Sequence, residues 1–245
     1  MIWLRSVAFN VAFYAWGTLC TLFFLPVLFL PRPYILKVVR IWAKGVIQIC
    51  EYILGLQIKI LGRERLPDTP IILASKHQSA WETLIFHHFV KDPAIVLKRE
   101  LTWIPFFGWY LKKLCMVPIS RSKGKGAQDL KKLLQKADQA MVRGQSILIF
   151  PEGTRSHPGQ KGTYHSGVAS LYQHLKIPVI PVAHNAGLFW PRRGFIKYPG
   201  RITLEFLDPI APGLSRQEFM RILENTIELK TNELVHEGMT NVSKS

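Results

Sequence analysis

The run Lys76-His77-Gln78-Ser79-Ala80-Trp81-Glu82 places an imidazole five residues ahead of a carboxylate. Such a pair is suited to acid–base chemistry, because a carboxylate that accepts from one ring nitrogen fixes the tautomer and leaves the other nitrogen as a base. A five-residue separation puts two side chains about 140° apart on a helix and on opposite faces of a strand. His77 and Glu82 therefore meet only where the chain turns between them, with His77 in a loop and Glu82 on the first turn of the next helix. Ser79-x-x-Glu82 also has the form of a capping box, which would occupy the same carboxylate with helix initiation.

The second group of interest is Phe150-Pro151-Glu152-Gly153-Thr154-Arg155. Pro151 stops a strand, Gly153 permits a tight turn, and Arg155 offers a planar donor fork that matches a phosphate. A surface turn with a solvated arginine is the plainer reading. No Asp or Glu occurs between Glu152 and Glu205, whereas Arg155, Lys161, Lys176, Arg192, Arg193, Lys197 and Arg201 do, and that one-sided charge implies a polyanionic ligand.

Elements that could present both groups follow from hydrophobic periodicity. Short apolar strands are predicted at Ile71 to Ala74, Ala94 to Leu97, Met116 to Ile119, Ile147 to Phe150, Val179 to Ala183 and Ile202 to Phe206, with helical patterns between them. Leu130, Leu133, Leu134, Ala137 and Met141 line one face of a helix between Gly126 and Gly144, and a further helix opens at Ser215 with a box closed by Glu218. The alternation predicts an α/β domain with a largely parallel central sheet flanked by helices. His77 and the Glu152 turn each follow a strand, the place where ligands gather in open α/β sheets.

The amino-terminal part has a different character. Ser6 to Pro31 contains no charged residue and as a helix would span about 39 Å, enough for a hydrocarbon core of about 30 Å. A cleaved signal peptide fits poorly, since the apolar run is too long and no small-residue cleavage site follows it. Arg32, Lys37, Arg40 and Lys44 come next and by the positive-inside rule put the remainder on the cytoplasmic side. From Ile35 to Ile53 apolar residues share one helical face, which serves an interfacial helix or packing on the core equally well. The expected organisation is a membrane anchor over 1–56 and an α/β domain over 57–245.

A hydrophobic content of 48% with a net charge of +16 fits a membrane surface, where apolar residues enter lipid and cations face anionic headgroups. Nucleic acid is not expected as a partner, since the longest basic cluster is only Arg121, Lys123 and Lys125. The three cysteines are widely spaced, and neither they nor the histidines show metal-ligand spacing, so neither a disulfide nor a metal is expected. No dinucleotide or Walker motif is present, and no cofactor is expected.

Taken in order, the His-x-x-x-x-acid box, the Lys98-x-x-Leu101-x-x-x-Pro105-Phe106-Phe107-Gly108 run, the Phe-Pro-Glu-Gly-Thr-Arg block and the Val179-Ile180-Pro181-Val182 strand resemble the glycerolipid acyltransferases. The likeness is greatest to the bacterial 1-acyl-sn-glycerol-3-phosphate acyltransferases and covers roughly Gly62 to Phe206. It implies His77 as general base with Glu82 as its orienting acid, and an acceptor-phosphate site made by Lys98, Arg121, Glu152, Gly153, Thr154 and Arg155. It further implies acyl-CoA or acyl carrier protein as donor, lysophosphatidic acid as acceptor, phosphatidic acid as product and the bacterial inner membrane as location. An acceptor such as glycerol 3-phosphate or a lyso-aminolipid, or a non-catalytic lipid-binding role, is the alternative. Most members of that family carry Asp where this chain has Glu82, and many carry a Lys where His165 stands. Trp103, Ile104, Phe106, Phe107, Trp109 and Tyr110 supply either an acyl groove or core and membrane-facing aromatics.

Overall fold

The computed structural model describes residues 1–120 and 126–242. Seven strands form one sheet: β1 (Leu56–Leu61), β2 (Ile72–Ser75), β3 (Pro93–Lys98), β4 (Val117–Ile119), β5 (Ser146–Ile149), β6 (Val179–His184) and β7 (Gly200–Phe206), in the order β1-β7-β6-β2-β5-β3-β4. β2 pairs in parallel with β5 and β6, and β3 in parallel with β5 and β4. β7 runs antiparallel to β6 and carries β1 parallel to itself at the edge. The sheet is thus largely parallel, as the sequence pattern predicts, with a reversed pair at one side.

The central strands are apolar nearly throughout because both sheet faces are covered. Leu73, Leu148 and Ile180 point into one core with Trp81, Ile85 and Phe86, whereas Ile72, Ala74, Ile147 and Ile149 point into the other with Leu133, Ala137, Leu171 and Phe219. The first layer holds α1 (Ile2–Phe23), α2 (Arg32–Ile49) and α3 (Trp81–Phe89); the second holds α5 (Gly126–Val142), α6 (Gly167–Leu175) and α8 (Arg216–Val242). Short helices α4 (Phe107–Lys113) and α7 (Ala186–Phe189) lie in connections after β3 and β6. The Ser215 cap is present, its Oγ accepting from Glu218 N–H at 3.2 Å.

Two expectations need correction. β1 lies ahead of the point where the strand pattern was predicted to begin; as an edge strand only Leu56 is buried in it, so its apolar signal is weak. The charge-free stretch is also not one helix to Pro31. α1 ends at Phe23, and Leu25–Phe29 is a 3-10 turn, with Pro26, which has no N–H to continue the ladder, at its start.

α1 has 22 residues, about 33 Å of helix, and is long and apolar enough to cross a membrane. One side of it is held by the rest of the protein. Trp16 Nε1 donates to Trp42 O at 3.0 Å, Phe9 meets Trp190 edge-on at 5.0 Å, and Tyr110 of α4 donates its hydroxyl to Thr21 O at 2.8 Å. Trp3, Leu4, Val11, Tyr14, Leu19 and Phe23 are exposed on it. The apolar face of α2 packs on the core, with Ile35 and Val46 fully buried.

At the start of α2, Arg32 forks onto Asp92, just before β3, with both nitrogens 2.7 Å from the carboxylate, and also reaches Leu114 O at 3.1 Å. Replacing Asp92 strands a largely buried guanidinium. Asp92→Ala is expected to lower unfolding stability by about 2 kcal/mol, read from urea denaturation followed by circular dichroism.

Candidate active site

The carboxyl ends of β2, β5 and β3 lie side by side, since these strands are parallel neighbours. From those ends emerge the His77 loop, the Pro151–Arg155 turn and Lys98. One sheet edge therefore gathers residues that lie far apart in the chain.

Beyond β2 the chain turns, and α3 begins at Trp81 with Glu82 in its first turn. Glu82 is fully buried, and its Oε1 accepts from His77 Nδ1 at 2.8 Å, Gln78 N–H at 2.9 Å and Ser79 N–H at 2.8 Å. Orienting the histidine and starting the helix, weighed as competing roles in the sequence, are thus performed by one oxygen. Burial pushes this carboxyl up, but the neighbouring His184 and His77 and the Ser79 amide outweigh it and hold Glu82 below the ordinary carboxylate range. A carboxylate only accepts, so in the neutral ring Nδ1 carries the proton and Nε2 is free to take one. The His77 side chain is 14% exposed and stacks on Phe150 at 4.3 Å between centroids, so the ring is fixed yet reachable.

Ser79 is buried, and its hydroxyl oxygen accepts from the N–H of Trp81, the first residue of α3, at 3.1 Å. Cys20 and Cys50 are buried away from this edge among residues of the α1–α2 layer.

The Pro151–Arg155 turn is tied to the His77 loop by backbone. Ser156 N–H donates to His77 O at 2.8 Å, which places Arg155, the residue before it, beside the histidine loop. Gly153 adopts φ 63°, a conformation that favours glycine. Thr154 is exposed and Arg155 half-buried, with Arg192 donating to Arg155 O. Lys98 is exposed at the end of β3. Arg121, expected in the same group, lies outside the described residues.

Glu152 is placed differently from the expectation of a phosphate-site residue. It is buried and forms an ion pair with Lys76 Nζ; Oε2 accepts from His77 N–H at 3.3 Å, and the Ser156 hydroxyl lies 3.1 Å from it. A buried anion already engaged by an ammonium has no open face for a phosphate. Burial pushes the Glu152 carboxyl up; Lys76 draws it down, and Glu228, competing for the same ammonium, pushes it up again, leaving it above the ordinary range.

The run of cations after Glu152 does not become one cluster in space. Lys161 pairs with Glu224 of α8, Lys197 is buried against α1 with Asn10 as a partner, and Arg201 binds Gln57 on the edge strand β1. Of that run, Arg155 and Arg192 stand at the His77 loop. The exposed His165 is linked to the same turn through its N–H, which donates to Pro151 O at 2.9 Å.

Several supporting residues were not singled out in the sequence. His184 is fully buried; Nε2–H donates to Lys76 O at 2.8 Å while Nδ1 accepts from Ala186 N–H at 3.3 Å, so both nitrogens are used by a neutral ring. Burial depresses its basicity in agreement with that assignment. Gln78 accepts from Gly187 N–H at 3.3 Å. Trp103, Ile104, Phe106, Phe107 and Trp109 are exposed rather than core, and Tyr110 joins α4 to α1. Among the described residues no group of His, Cys, Asp and Glu is arranged to hold a metal ion.

The family model described as Acyltransferase matches residues 57–185. A 1-acyl-sn-glycerol-3-phosphate acyltransferase of Pseudomonas aeruginosa is 40% identical over 205 residues, covering 82% of this chain and 78% of that protein. One of Saccharomyces cerevisiae is 29% identical over 181 residues, covering 70% of this chain and 57% of its own length. Among solved structures, the 1-acyl-sn-glycerophosphate (LPA) acyltransferase PlsC of Thermotoga maritima superposes with a TM-score of 0.78 at 24% identity, covering 96% of this chain and 99% of that one. At that identity the superposition establishes the fold.

The depressed Glu82 acidity has a signed consequence. Its stabilising share is present above the unfolded carboxylate value of about 4.3 and is lost as pH falls through the lower folded value. Glu82→Gln should flatten the acid limb of stability against pH relative to the parent, as measured by urea midpoints at successive pH values. Parallel acid limbs in the two proteins would contradict this.

Proposed function

The chain belongs to the acyltransferase family, and from that premise we propose that it moves a fatty acyl group from a thioester to the sn-2 hydroxyl of a 1-acylglycerol 3-phosphate, giving phosphatidic acid. The observation that carries this reading is the 2.8 Å contact of His77 Nδ1 with Glu82, beside the loop bearing Arg155. In support stands the 40% identity to a relative named for that acceptor.

In this reading His77 Nε2 takes the proton of the acceptor hydroxyl as its oxygen attacks the thioester carbonyl. Glu82 keeps the proton on Nδ1 and stabilises the imidazolium that forms. The tetrahedral intermediate collapses with cleavage of the carbon–sulfur bond, and the departing thiolate recovers the proton from Nε2. No acyl-enzyme is required, in keeping with the burial of Ser79, whose hydroxyl is engaged by Trp81 N–H. Arg155 and Lys98, with the backbone of Gly153 and Thr154, bind the acceptor phosphate, and Arg121 belongs to the same group by family resemblance. Glu152 serves that site from behind, by fixing the loop. The donor is acyl-CoA or acyl carrier protein, both anionic and suited to a chain of net charge +16.

Residues 1–56 serve as the membrane anchor and 57–245 as the catalytic domain. The exposed apolar residues of α1, with Trp103, Ile104, Phe106, Phe107 and Trp109 near α4, provide a surface for lipid, and the basic residues after α1 suit anionic headgroups. The location is the bacterial inner membrane, with the catalytic domain on its cytoplasmic side.

Acyl transfer is measured with 1-oleoyl-lysophosphatidic acid and palmitoyl-CoA, following free thiol and phosphatidic acid together. His77→Ala should cut kcat by about 10² to 10⁴ while lysophosphatidate binding is retained, and Arg155→Ala should chiefly raise KM for the acceptor. Thiol release that ignores the acceptor would replace transfer by hydrolysis, and lysophosphatidate that is never acylated would remove it as substrate.

A further inference from the structure

Lys76 is 1% exposed, yet it is ionisable and immediately precedes His77. Its ammonium has three acceptors: Glu152, Glu228 Oε1 at 2.6 Å and Gln160 O at 3.3 Å. All three N–H donors are therefore used. Glu228 comes from α8 and is itself held by the Tyr164 hydroxyl at 2.9 Å from Oε1. Glu152 passes the constraint onward, since its second oxygen takes the His77 N–H at 3.3 Å. Gly162 packs so closely on this carboxyl that a Cβ there would lie 2.9 Å from it. The Lys76 carbonyl is fixed independently by His184 Nε2–H at 2.8 Å.

We propose that α8 positions the general base: Glu228 anchors Lys76, Lys76 seats Glu152 beneath the His77 amide, and turnover depends on a carboxylate outside the 57–185 family segment. Lys76 and Glu228 are positioning residues that act through Glu152. Two carboxylates and an ammonium are costly to bury, and apolar residues of similar volume would hold α8 to the sheet at least as well. What the ions add is direction, because each hydrogen bond fixes the next along the line from α8 to His77. The inference rests on His77 being the base.

The test compares purified full-length variants in the thiol-release assay with palmitoyl-CoA and 1-oleoyl-lysophosphatidic acid, with unfolding midpoints measured in parallel. Glu228→Gln keeps the volume and removes the charge; kcat per folded protein should fall on the order of tenfold, with acceptor KM within about twofold, since small displacements of a reacting group cost rate more than binding. Lys230→Gln, on the same helix, is the control: it breaks contacts to Glu233 of α8 at 3.0 Å and to Glu205 of β7 at 3.4 Å, and should lower the midpoint while leaving kcat unchanged. Should Glu228→Gln not fold, Tyr164→Phe, which removes one donor to Glu228, should lower kcat about twofold to threefold at unchanged KM. Wild-type kcat in whichever variant folds, or a fall that merely follows the folded fraction, overturns the inference. Retained turnover in His77→Ala would remove the base assignment and this inference together; loss there with full kcat in Glu228→Gln would remove this inference alone.

Discussion

A single buried oxygen, Glu82 Oε1, accepts from an imidazole and from two successive backbone amides. Without those donors an ionised carboxylate could not be buried at all, and without the carboxylate the turn from β2 into α3 would leave its amides unpaired. The turn and the tautomer are therefore one structure. The longer reach of glutamate relative to aspartate is accommodated by placing the carboxyl back over its own helix start, where it still touches the ring.

Everything else at this edge follows from keeping that turn in register with its neighbours. Parallel pairing of β2 with both β5 and β6 sets the height at which the His77 loop leaves the sheet, and the Ser156 N–H to His77 O bond matches the loop after β5 to it. His184, at the end of β6, does the same from the other side through Lys76 O. The loop is thus held from both flanking strands by backbone or neutral donors, and the charged contacts of Lys76 lie beneath it.

The parts legible in the sequence were those whose physics is local. His77 and Glu82 sit five residues apart, so a turn is enough to join them, and the buried central strands announce themselves as apolar runs. β1 was not legible, because an edge strand with one fully buried residue carries little hydrophobic signal, and the reversed β6–β7 pair has no signature in composition. The family resemblance implies Glu152 as part of the phosphate site, and its ion pair is invisible in the sequence, because its partner Lys76 is 76 residues away and Glu228 lies 152 from that lysine. Linear charge density likewise does not show how the cations group in space: α8 brings Glu224 to Lys161 and Glu228 to Tyr164, within a stretch that reads as purely basic.

The segment between α7 and β7 joins α1 to the Arg155 turn by direct contacts. Trp190 packs on Phe9 and Phe13 of α1, the Lys197 N–H and carbonyl both meet the Ser6 hydroxyl, and Arg192 reaches across to the Arg155 carbonyl. Both ends of this short stretch therefore touch the apolar amino-terminal helix, and Arg192 between them touches the Arg155 turn. A lipid acceptor imposes this kind of constraint, since its acyl chain and its phosphate are covalently joined at a fixed separation while preferring different solvents. Under the proposed function, the apolar surface of α1 and the Arg155 guanidinium would have to keep a constant distance. Direct contacts at Trp190, Arg192 and Lys197 tie the two together more closely than a free linker would.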